Sequence, residues 1–584
     1  MNIINKPAIG TVCRPPLHAR GQIGSTVESE PSMNRSTHAL FANIVAVTLT
    51  AAVLTGCREP APDNGALIYE GFGNYERAIT TEVVSAQEWF NQGMQLMYGF
   101  NHDEAIRSFE QAAAADPKSA MPWWGIAYCQ GININDPEMT EERSKVAWEA
   151  SQEALARVDQ ASPVEAALVK AVAQRYAWPA PDDRTGLDQA YADAMQAVYA
   201  EFPTDPDVAA LFAESLMNLQ PWDYWTDSGE PKGRTAEFVG IIEQTLTSHP
   251  QHPGVNHFFI HAVEASSNPD RAVEAADRLT EIVPGSGHLV HMPSHIYIRV
   301  GRYSDAAKSN IQAIEVDRAY LAQAPAPGLY AAYYGHNLHF LAFASMMSGN
   351  YEQALRAARD LEAEMPEDAL REWVGLIEGI MAANFHVLIR FGKWEEILDE
   401  PDYPEWRLVS RAVRFYARSI ANSALGRTEE ARVELEAFET AMAEVPEEWW
   451  IFNNRVSAVL PIARAMINGE LLYREGNRDE AYAILREGVA FEDALVYDEP
   501  PGWMLPVRHA LGALLMADGR YAEAEEVYLE DLRRNRDNGW SLTGLQLALK
   551  AQERIGEADE LSPRLARAFG TADTRPSSSC YCEP

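Results

Sequence analysis

The chain has 584 residues, of which 47% are hydrophobic, and a formal net charge of -37 at pH 7. So large an acidic excess excludes binding to nucleic acid or to anionic lipid through bulk electrostatic attraction. Alanine, leucine, glutamate and arginine are abundant and strand-like alternation is nearly absent, so we expect an all-α fold. At this length a repeat array is a natural alternative to several domains, because an array grows without enlarging a single core.

The N-terminal region has the pattern of an export signal. Arg35 supplies positive charge, residues 39–54 form an apolar stretch, and the letters LTGC end the stretch at Cys57. An apolar run of about 16 residues is short for a membrane span. The pattern resembles a bacterial lipoprotein signal over residues 33–56. This resemblance implies cleavage before Cys57, lipidation of that cysteine, and a mature chain held in the cell envelope by its lipid, on the periplasmic side of the inner or outer membrane in a Gram-negative cell.

Other segments flank the regular part of the chain. We interpret residues 1–32 as the product of an upstream start codon, residues 57–84 as a tether, and residues 570–584 as a C-terminal tail. The tail contains Cys580 and Cys582, and only Cys129 lies between them and Cys57. Three cysteines are too few for a disulfide framework. The tail pair is open to three interpretations: a local disulfide, two soft metal ligands, or an inert end.

From residue 86 the sequence shows a repeated helical pattern. Its first unit carries an aromatic residue, a glycine, two alanines, a phenylalanine and a proline at fixed places: Trp89, Gly93, Ala105, Phe109, Ala112 and Pro117. This order resembles the unit of the tetratricopeptide repeat (TPR) family. The resemblance implies a solenoid of helix-turn-helix units, in which the first helices line a concave groove that holds a small ligand, a peptide or a protein.

One turn motif recurs along the chain. A glycine precedes an alanine five residues later at Gly301, Gly349, Gly426, Gly476 and Gly519. Glycine ends the first helix in a conformation that a β-carbon disfavours, and the small alanine lets the second helix pack closely. The pattern predicts about twelve helix pairs over residues 86–569.

Insertions lengthen the second, third and fourth pairs, at residues 131–141, 178–185 and 220–234. We expect these insertions at the edge of the solenoid, because extra chain costs little there. The last one contains Trp222 and Trp225. These aromatic side chains either form a lid over the groove or pack on the neighbouring helices.

Histidine is concentrated in one part of the chain, with nine of the 14 histidines between positions 249 and 339. When each turn glycine is given the same place in its unit, most histidines fall on one face of the first helix. Histidines from three successive units are then expected to meet at one place on the surface that the first helices form. The predicted metal ligands are His257, His261, His291, His295, His336 and His339, with His288 as a further candidate. Pro293 interrupts this pattern, and if it opens the helix, His288 and His291 lie in the leading loop.

Neutral imidazole binds zinc, copper, iron and nickel. The clustering therefore predicts a transition-metal site, with zinc, copper or iron as candidates. If the site is catalytic, Glu264 is the nearest candidate for a general base. The sequence contains no phosphate-binding loop, nucleophile elbow or HExxH motif, so it indicates no known class of metalloenzyme.

Other interpretations of the histidine face remain open at this stage. It could line a polar groove for a peptide, an anion or another ligand, or its imidazoles could serve structural hydrogen bonding. A protein-interaction scaffold is the usual role of such repeats, but it leaves the clustering unexplained. Farther along, a proline-rich turn presents Glu499, Trp503 and His509, which either extend the floor of the groove or cap a helix.

Overall fold

The computed structural model of the protein describes residues 65–324, 328 and 330–581. The predicted signal peptide, Cys57 and Cys582 lie outside these residues. Across the described ranges, every helix falls short of the combined length and apolar character that a membrane span requires.

The described residues are mostly helical, as the composition predicts. The helices of the first part of the chain are α1 (Val84–Tyr98), α2 (His102–Ala115), α3 (Met121–Cys129), α4 (Glu141–Leu155), α5 (Pro163–Val172), α6 (Thr185–Glu201), α7 (Pro206–Met217), α8 (Thr235–Ser248), α9 (Pro253–Val263), α10 (Val273–Ile282), α11 (Gly287–His291), α12 (Pro293–Arg299), α13 (Tyr303–Leu321), α14 (Tyr330–Met347) and α15 (Tyr351–Glu364).

The second part continues in the same way. Its helices are α16 (Glu367–Glu372), α17 (Val374–Ile377), α18 (Ala383–Arg390), α19 (Trp394–Asp399), α20 (Leu408–Ala424), α21 (Thr428–Glu444), α22 (Val456–Arg474), α23 (Arg478–Asp493), α24 (Val507–Ala517), α25 (Tyr521–Arg534), α26 (Gly539–Ala551), α27 (Ile555–Glu560) and α28 (Ser562–Ala568). Short 3-10 helices lie at Val158–Gln160, Ala173–Arg175, Pro269–Ala272 and Glu378–Ile380. A small antiparallel hairpin joins β1 (Trp450–Ile451) to β2 (Asn454–Arg455).

The helices form successive pairs, and each pair packs on the next. For example, α1 packs on α2, α2 on α3 and α3 on α4, while α1 also contacts α3 and α9 contacts α12. This arrangement confirms the predicted TPR-like solenoid of about twelve helix pairs.

The recurrent turn has the predicted conformation. Gly301 and Gly349 both have φ of +79°, in the left-handed region that favours glycine. The alanines that follow them, Ala306 and Ala354, are completely buried against the first helix of their pair. The sequence motif therefore predicts both the turn and the close packing of the two helices.

Pro293 divides the first helix of the sixth pair without displacing its histidines into a loop. It occupies the first turn of α12, where its missing N–H costs no hydrogen bond. Met292, between α11 and α12, keeps helical dihedral angles of φ -50° and ψ -36°. His288 and His291 thus lie on α11, and His295 lies on α12.

The segment before α1 differs from the predicted tether. Residues 65–83 contain no helix, yet Phe72 and Ile79 are buried within the core. Arg77 is also buried, and its Nη1 donates to Asp205 at 3.0 Å and to Asp207 at 2.5 Å. These contacts fasten the segment to α7 and its N-terminal cap.

The C-terminal pairs pack against the middle of the chain. Trp540 on α26 donates its indole N–H to the carbonyl of Met346 at 2.9 Å, and the N–H of Thr574 donates to Gly349 O at 3.0 Å. Cys580 is disulfide-bonded, whereas Cys129 is a buried free thiol. The disulfide at Cys580 argues against an inert tail, while the predicted pairing with Cys582 stays a prediction because Cys582 lies outside the described residues.

Candidate metal centre

The predicted histidine ligands lie side by side on four helices. α9 carries His257 and His261, α11 carries His288 and His291, α12 carries His295, and α14 carries His336 and His339. All are buried except the half-buried His336. The resemblance implied a concave groove lined by the first helices at this place. In the structure, side chains from distant parts of the chain cover the histidines on this face.

The first group consists of His257, His261 and His288, whose candidate ligand nitrogens all lie within 4.8 Å of one another. The Nδ1 of His257 is 2.7 Å from the backbone carbonyl of Tyr98, which can only accept, so this nitrogen carries the proton. Its Nε2 therefore presents a lone pair, 3.2 Å from the Nε2 of His288. The Nε2 of His261 is buried and lacks a hydrogen-bond partner among the described residues.

The second group consists of His291, His295 and His336, again with ligand nitrogens within 4.8 Å of one another. Asn310 donates its amide N–H to the carbonyl of Ala306 at 2.8 Å, so its oxygen faces His291 and accepts from Nδ1 at 2.7 Å. His295 donates its Nδ1–H to Glu264 at 2.6 Å. The Nε2 atoms of His291 and His295 then face each other 2.8 Å apart.

Two lone pairs at this distance repel each other unless a cation lies between them. A proton on one imidazole would remove the repulsion, and so would a metal ion. Two nitrogens that bind one ion at about 2.0–2.1 Å with a tetrahedral angle are separated by about 3.4 Å. The 3.2 Å between the Nε2 atoms of His257 and His288 is close to that value. The 2.8 Å between those of His291 and His295 is shorter by about 0.6 Å, so this pair would open slightly around an ion.

Glu264 connects the two groups. Its carboxylate is completely buried, with one oxygen 2.7 Å from His261 Nδ1 and the other 2.6 Å from His295 Nδ1. Burial alone raises the pKa of Glu264, but the charge of His295 and hydrogen bonds from both imidazoles outweigh this effect and lower the pKa to about 2. Both oxygens already accept hydrogen bonds, so the geometry favours a role in positioning ligands over that of a free general base.

Five of these imidazoles, those of His257, His261, His288, His291 and His336, have pKa values below the usual range. Burial is the main cause that lowers the pKa of His257, His288, His291 and His336 far below 6.5, and neighbouring histidines lower each of these pKa values further. Burial also lowers the pKa of His261. Neutral imidazole is the form that binds metals, so these rings are in the ligating state at neutral pH.

Aromatic side chains enclose the histidines. Phe100, which follows α1, stacks with the ring of His288 at a centroid distance of 5.6 Å. Trp222, from the insertion at residues 220–234, meets His261 edge-on at 5.2 Å and donates its indole N–H to the carbonyl of Ile134 at 2.9 Å. This insertion therefore packs on the neighbouring helices and at the same time covers the first group.

Loops from the second part of the chain cover the other side. Phe452, in the β1–β2 turn, contacts His336 at a centroid distance of 5.4 Å. The Tyr497 hydroxyl donates to Glu264 at 3.3 Å, and a Glu499 oxygen lies 3.5 Å from His295 Nδ1. Glu499 is buried, and burial followed by the nearby charge of Glu264 raises its pKa well above 4.5. The sequence placed Glu499 in a turn near the groove, but gave no signal that it meets Glu264.

Several other histidines lie outside both groups. His339 contacts Phe452 at a centroid distance of 5.7 Å, and its Nδ1 has no hydrogen-bond partner in the described ranges. His252 caps the start of α9 by accepting from the N–H of Val255, and its Nε2 is 3.0 Å from Asp207. His509 bridges Arg390 and Asp531 at 2.9 Å each.

Comparisons with known proteins agree with the repeat architecture. The tetratricopeptide repeat family model matches residues 507–539, which include α24 and α25. No curated protein matches the chain. Among solved structures, the chain is similar to a human IFIT1 dimer with m7Gppp-AAAA at 11% identity and a TM-score of 0.34, covering 81% of this chain and 94% of that one.

Another similar structure is the APC/C hetero-tetramer Cut9-Hcn1, at 13% identity and a TM-score of 0.30, covering 83% of this chain and 76% of that one. Likeness at this level says nothing about what the present chain binds.

Proposed function

We propose that the protein, whose residues 507–539 match the tetratricopeptide repeat family model, binds divalent transition-metal ions at two adjacent histidine centres inside its helical array. The first centre is formed by His257, His261 and His288, and the second by His291, His295 and His336. The fold itself is a scaffold suited to binding a ligand or a protein partner, and the histidines give that scaffold a specific chemistry.

The observation that carries the proposal is the facing pair of His291 and His295. Their Nε2 atoms are 2.8 Å apart, while Asn310 and Glu264 hold the Nδ1 protons. In metal sites a histidine ligand generally donates its other ring N–H to a carbonyl or carboxylate, which fixes the tautomer and the ring orientation. His257 and His261 follow the same rule through Tyr98 and Glu264.

The donor set limits the metals that fit. Three imidazole nitrogens suit zinc, copper, iron and nickel, whereas magnesium and calcium prefer oxygen ligands. Three protein ligands leave a coordination position for water or another ligand, as in catalytic zinc sites. Glu499 is the nearest additional carboxyl group, and its two oxygens lack hydrogen-bond partners among the described residues. A buried carboxyl group without hydrogen-bond partners favours a catalytic role for the second centre over mere storage of a metal ion.

The proposal is tested by metal loading of the purified mature protein. Chelator-treated protein is incubated separately with Zn²⁺, Cu²⁺, Fe²⁺ and Ni²⁺, desalted, and its metal content measured by mass spectrometry. We expect up to two equivalents of at least one of these ions. A His249→Ala variant is the matched control, because His249 precedes α9 and contacts neither group. Failure to retain any of the four ions would refute the metal function and favour a ligand-binding or protein-binding scaffold.

We also propose that the protein works outside the cytoplasm as a lipid-anchored component of the cell envelope. The support for this is the sequence alone, in the apolar stretch that ends at Cys57. A buried site of neutral histidines is consistent with metal handling in that compartment.

A further inference from the structure

A second polar feature lies in the insertions of the early repeats. The structure contains a cavity of about 70 Å³ between α4, the 3-10 helix Ala173–Arg175 and the loop that leads into α6. Arg175, Tyr176 and Arg184 are among its lining residues. A cavity of this volume has room for a carboxylate or phosphate group.

Among the residues that line the cavity, Arg175 is unusual because it is a buried cation with unpaired hydrogen-bond donors. Its side chain is 1% exposed, and it makes no ion pair with a carboxylate within the described residues. One guanidinium nitrogen, Nη2, donates to the carbonyl of Ile132 at 2.6 Å, while Nε and Nη1 have no acceptor. The guanidinium lies over the rings of Tyr191 at 4.8 Å and Tyr128 at 5.6 Å. These faces stabilise the cation but accept no conventional hydrogen bond.

The other charged groups nearby are already engaged or lie at the surface. Arg184 pairs with Asp188 at 2.7 Å, and Arg143 pairs with Asp136 at 2.7 Å. Glu214 is buried and accepts from Asn218, and it interacts electrostatically with Arg175 but forms no hydrogen bond or ion pair with it among the described residues. Asp182 lies at the exposed rim of the cavity and would oppose an anion only weakly through water.

We propose that this cavity binds a small oxyanion, a carboxylate or phosphate group, through the guanidinium of Arg175. Arginine presents a planar set of N–H donors that fits two oxygens of such a group. The Nε and Nη1 donors of this buried guanidinium lack acceptors, which is costly, and an oxyanion in the cavity would supply the missing acceptors together with a negative charge. The site lies in the insertions of the early pairs and does not depend on the metal function.

Thermal unfolding of the full protein tests the proposal. Sodium phosphate and sodium acetate are compared with sodium chloride at equal ionic strength. We expect one of the two oxyanions to raise the melting temperature by several degrees more than chloride, and the comparison identifies which anion class the cavity prefers. Titration calorimetry with that anion should give one binding site.

Two variants separate the cavity from general salt effects. Arg175→Gln removes the cation, and Ala177→Leu keeps the arginine while it fills the cavity that Ala177 lines. Both should lose the anion-dependent shift. Arg157→Gln, which changes a partly exposed arginine paired with Glu153, should retain it. Equal shifts in all proteins, or a shift that Ala177→Leu retains, would overturn the proposal. Metal content serves as an independent readout and should not change in any of these variants.

Discussion

His291 and His295 face each other through Nε2 atoms that are 2.8 Å apart, although they lie on different helices, α11 and α12. The break at Pro293 keeps the backbone helical, so the two rings remain about one turn apart and still converge. Their Nδ1 atoms are held from opposite sides by Asn310 and Glu264. The pair is therefore pre-oriented before any ion binds, which is what high affinity for a metal requires.

The two centres should lose metal independently. The His257→Ala, His261→Ala double variant should retain about one equivalent, and so should the His291→Ala, His295→Ala double variant, because each removes two ligands from one group only. Metal content and helical circular dichroism would be measured on both. Complete loss of metal from either variant, with helicity intact, would instead indicate one ion shared by all six predicted ligands.

His339 is the residue on which the ligand groups of the structure differ from the ligand set predicted from the sequence. The pattern includes His339 among the ligands, whereas the structure leaves it outside both groups, against Phe452. We expect His339→Ala to keep both equivalents and to change the affinity of either centre by less than about twofold. The measurement is competition with a chromophoric chelator. A loss comparable to that of His336→Ala would assign His339 to the second centre.

The fold and the face of the histidines were predictable because both depend on local periodicity. A left-handed glycine at Gly301 and a small residue at Ala306 specify one helix pair, and the same spacing along the chain specifies the array. Within a helix, residues four apart share a face, so the convergence of His257 with His261 also followed from the sequence.

The division into two groups and their burial were not predictable in this way. Both depend on small rotations between successive pairs, which add up along the array and have no signature in the sequence. Tyr497 and Glu499 reach Glu264 from more than 230 positions away along the chain, and Trp222 reaches His261 from an insertion without periodicity. Such contacts between distant segments cover the histidine face that the sequence placed in a concave groove.

Glu264 should influence both centres as a positioning residue. Glu264→Gln keeps the shape, but its amide offers one acceptor where the carboxylate accepts from both His261 and His295. We expect metal affinity to fall by about 10- to 100-fold at both centres while helicity is retained. Glu243→Gln, at an exposed carboxylate paired with Arg271, is the control and should bind as the wild type does. Unchanged affinity in Glu264→Gln would exclude this positioning role.

Export and lipidation should depend on one thiol. Cys57→Ser removes the sulfur that the lipoprotein signal would modify, so we expect an unprocessed precursor that is not labelled by a radioactive fatty acid. Processing would be followed by the size of the protein on gels, and anchoring by membrane fractionation. Cys129→Ser, at a buried free thiol, is the matched control and should be processed normally. Normal processing and membrane attachment of Cys57→Ser would end the lipoprotein interpretation.

The pH dependence of stability should report the buried histidines of the metal-free protein. Burial, followed by the neighbouring histidines, lowers the pKa of His288 well below 6.5. Below about pH 6.5 the unfolded chain therefore binds a proton that the folded chain does not. This contribution to stability is present above pH 6.5 and is lost as the pH falls, by about 1.4 kcal/mol per pH unit for one histidine.

Other buried groups change the free energy of unfolding with pH in the opposite direction. The clearest measurement is therefore the difference in this free energy between a variant and the wild type. Burial raises the pKa of Asp317 to about 7, and this carboxyl favours the folded state at lower pH. His288→Phe removes one titrating ring in a pocket already lined by Phe100 and Tyr333, and leaves Asp317 in place. We would measure the free energy of unfolding in urea with a chelator present. As the pH falls below about 6.5, this free energy should rise for the variant relative to the wild type by about 1.4 kcal/mol per pH unit. A constant difference between pH 7.5 and 5 would show that His288 titrates alike in the folded and the unfolded protein, and the lowered pKa of this ring would then be wrong.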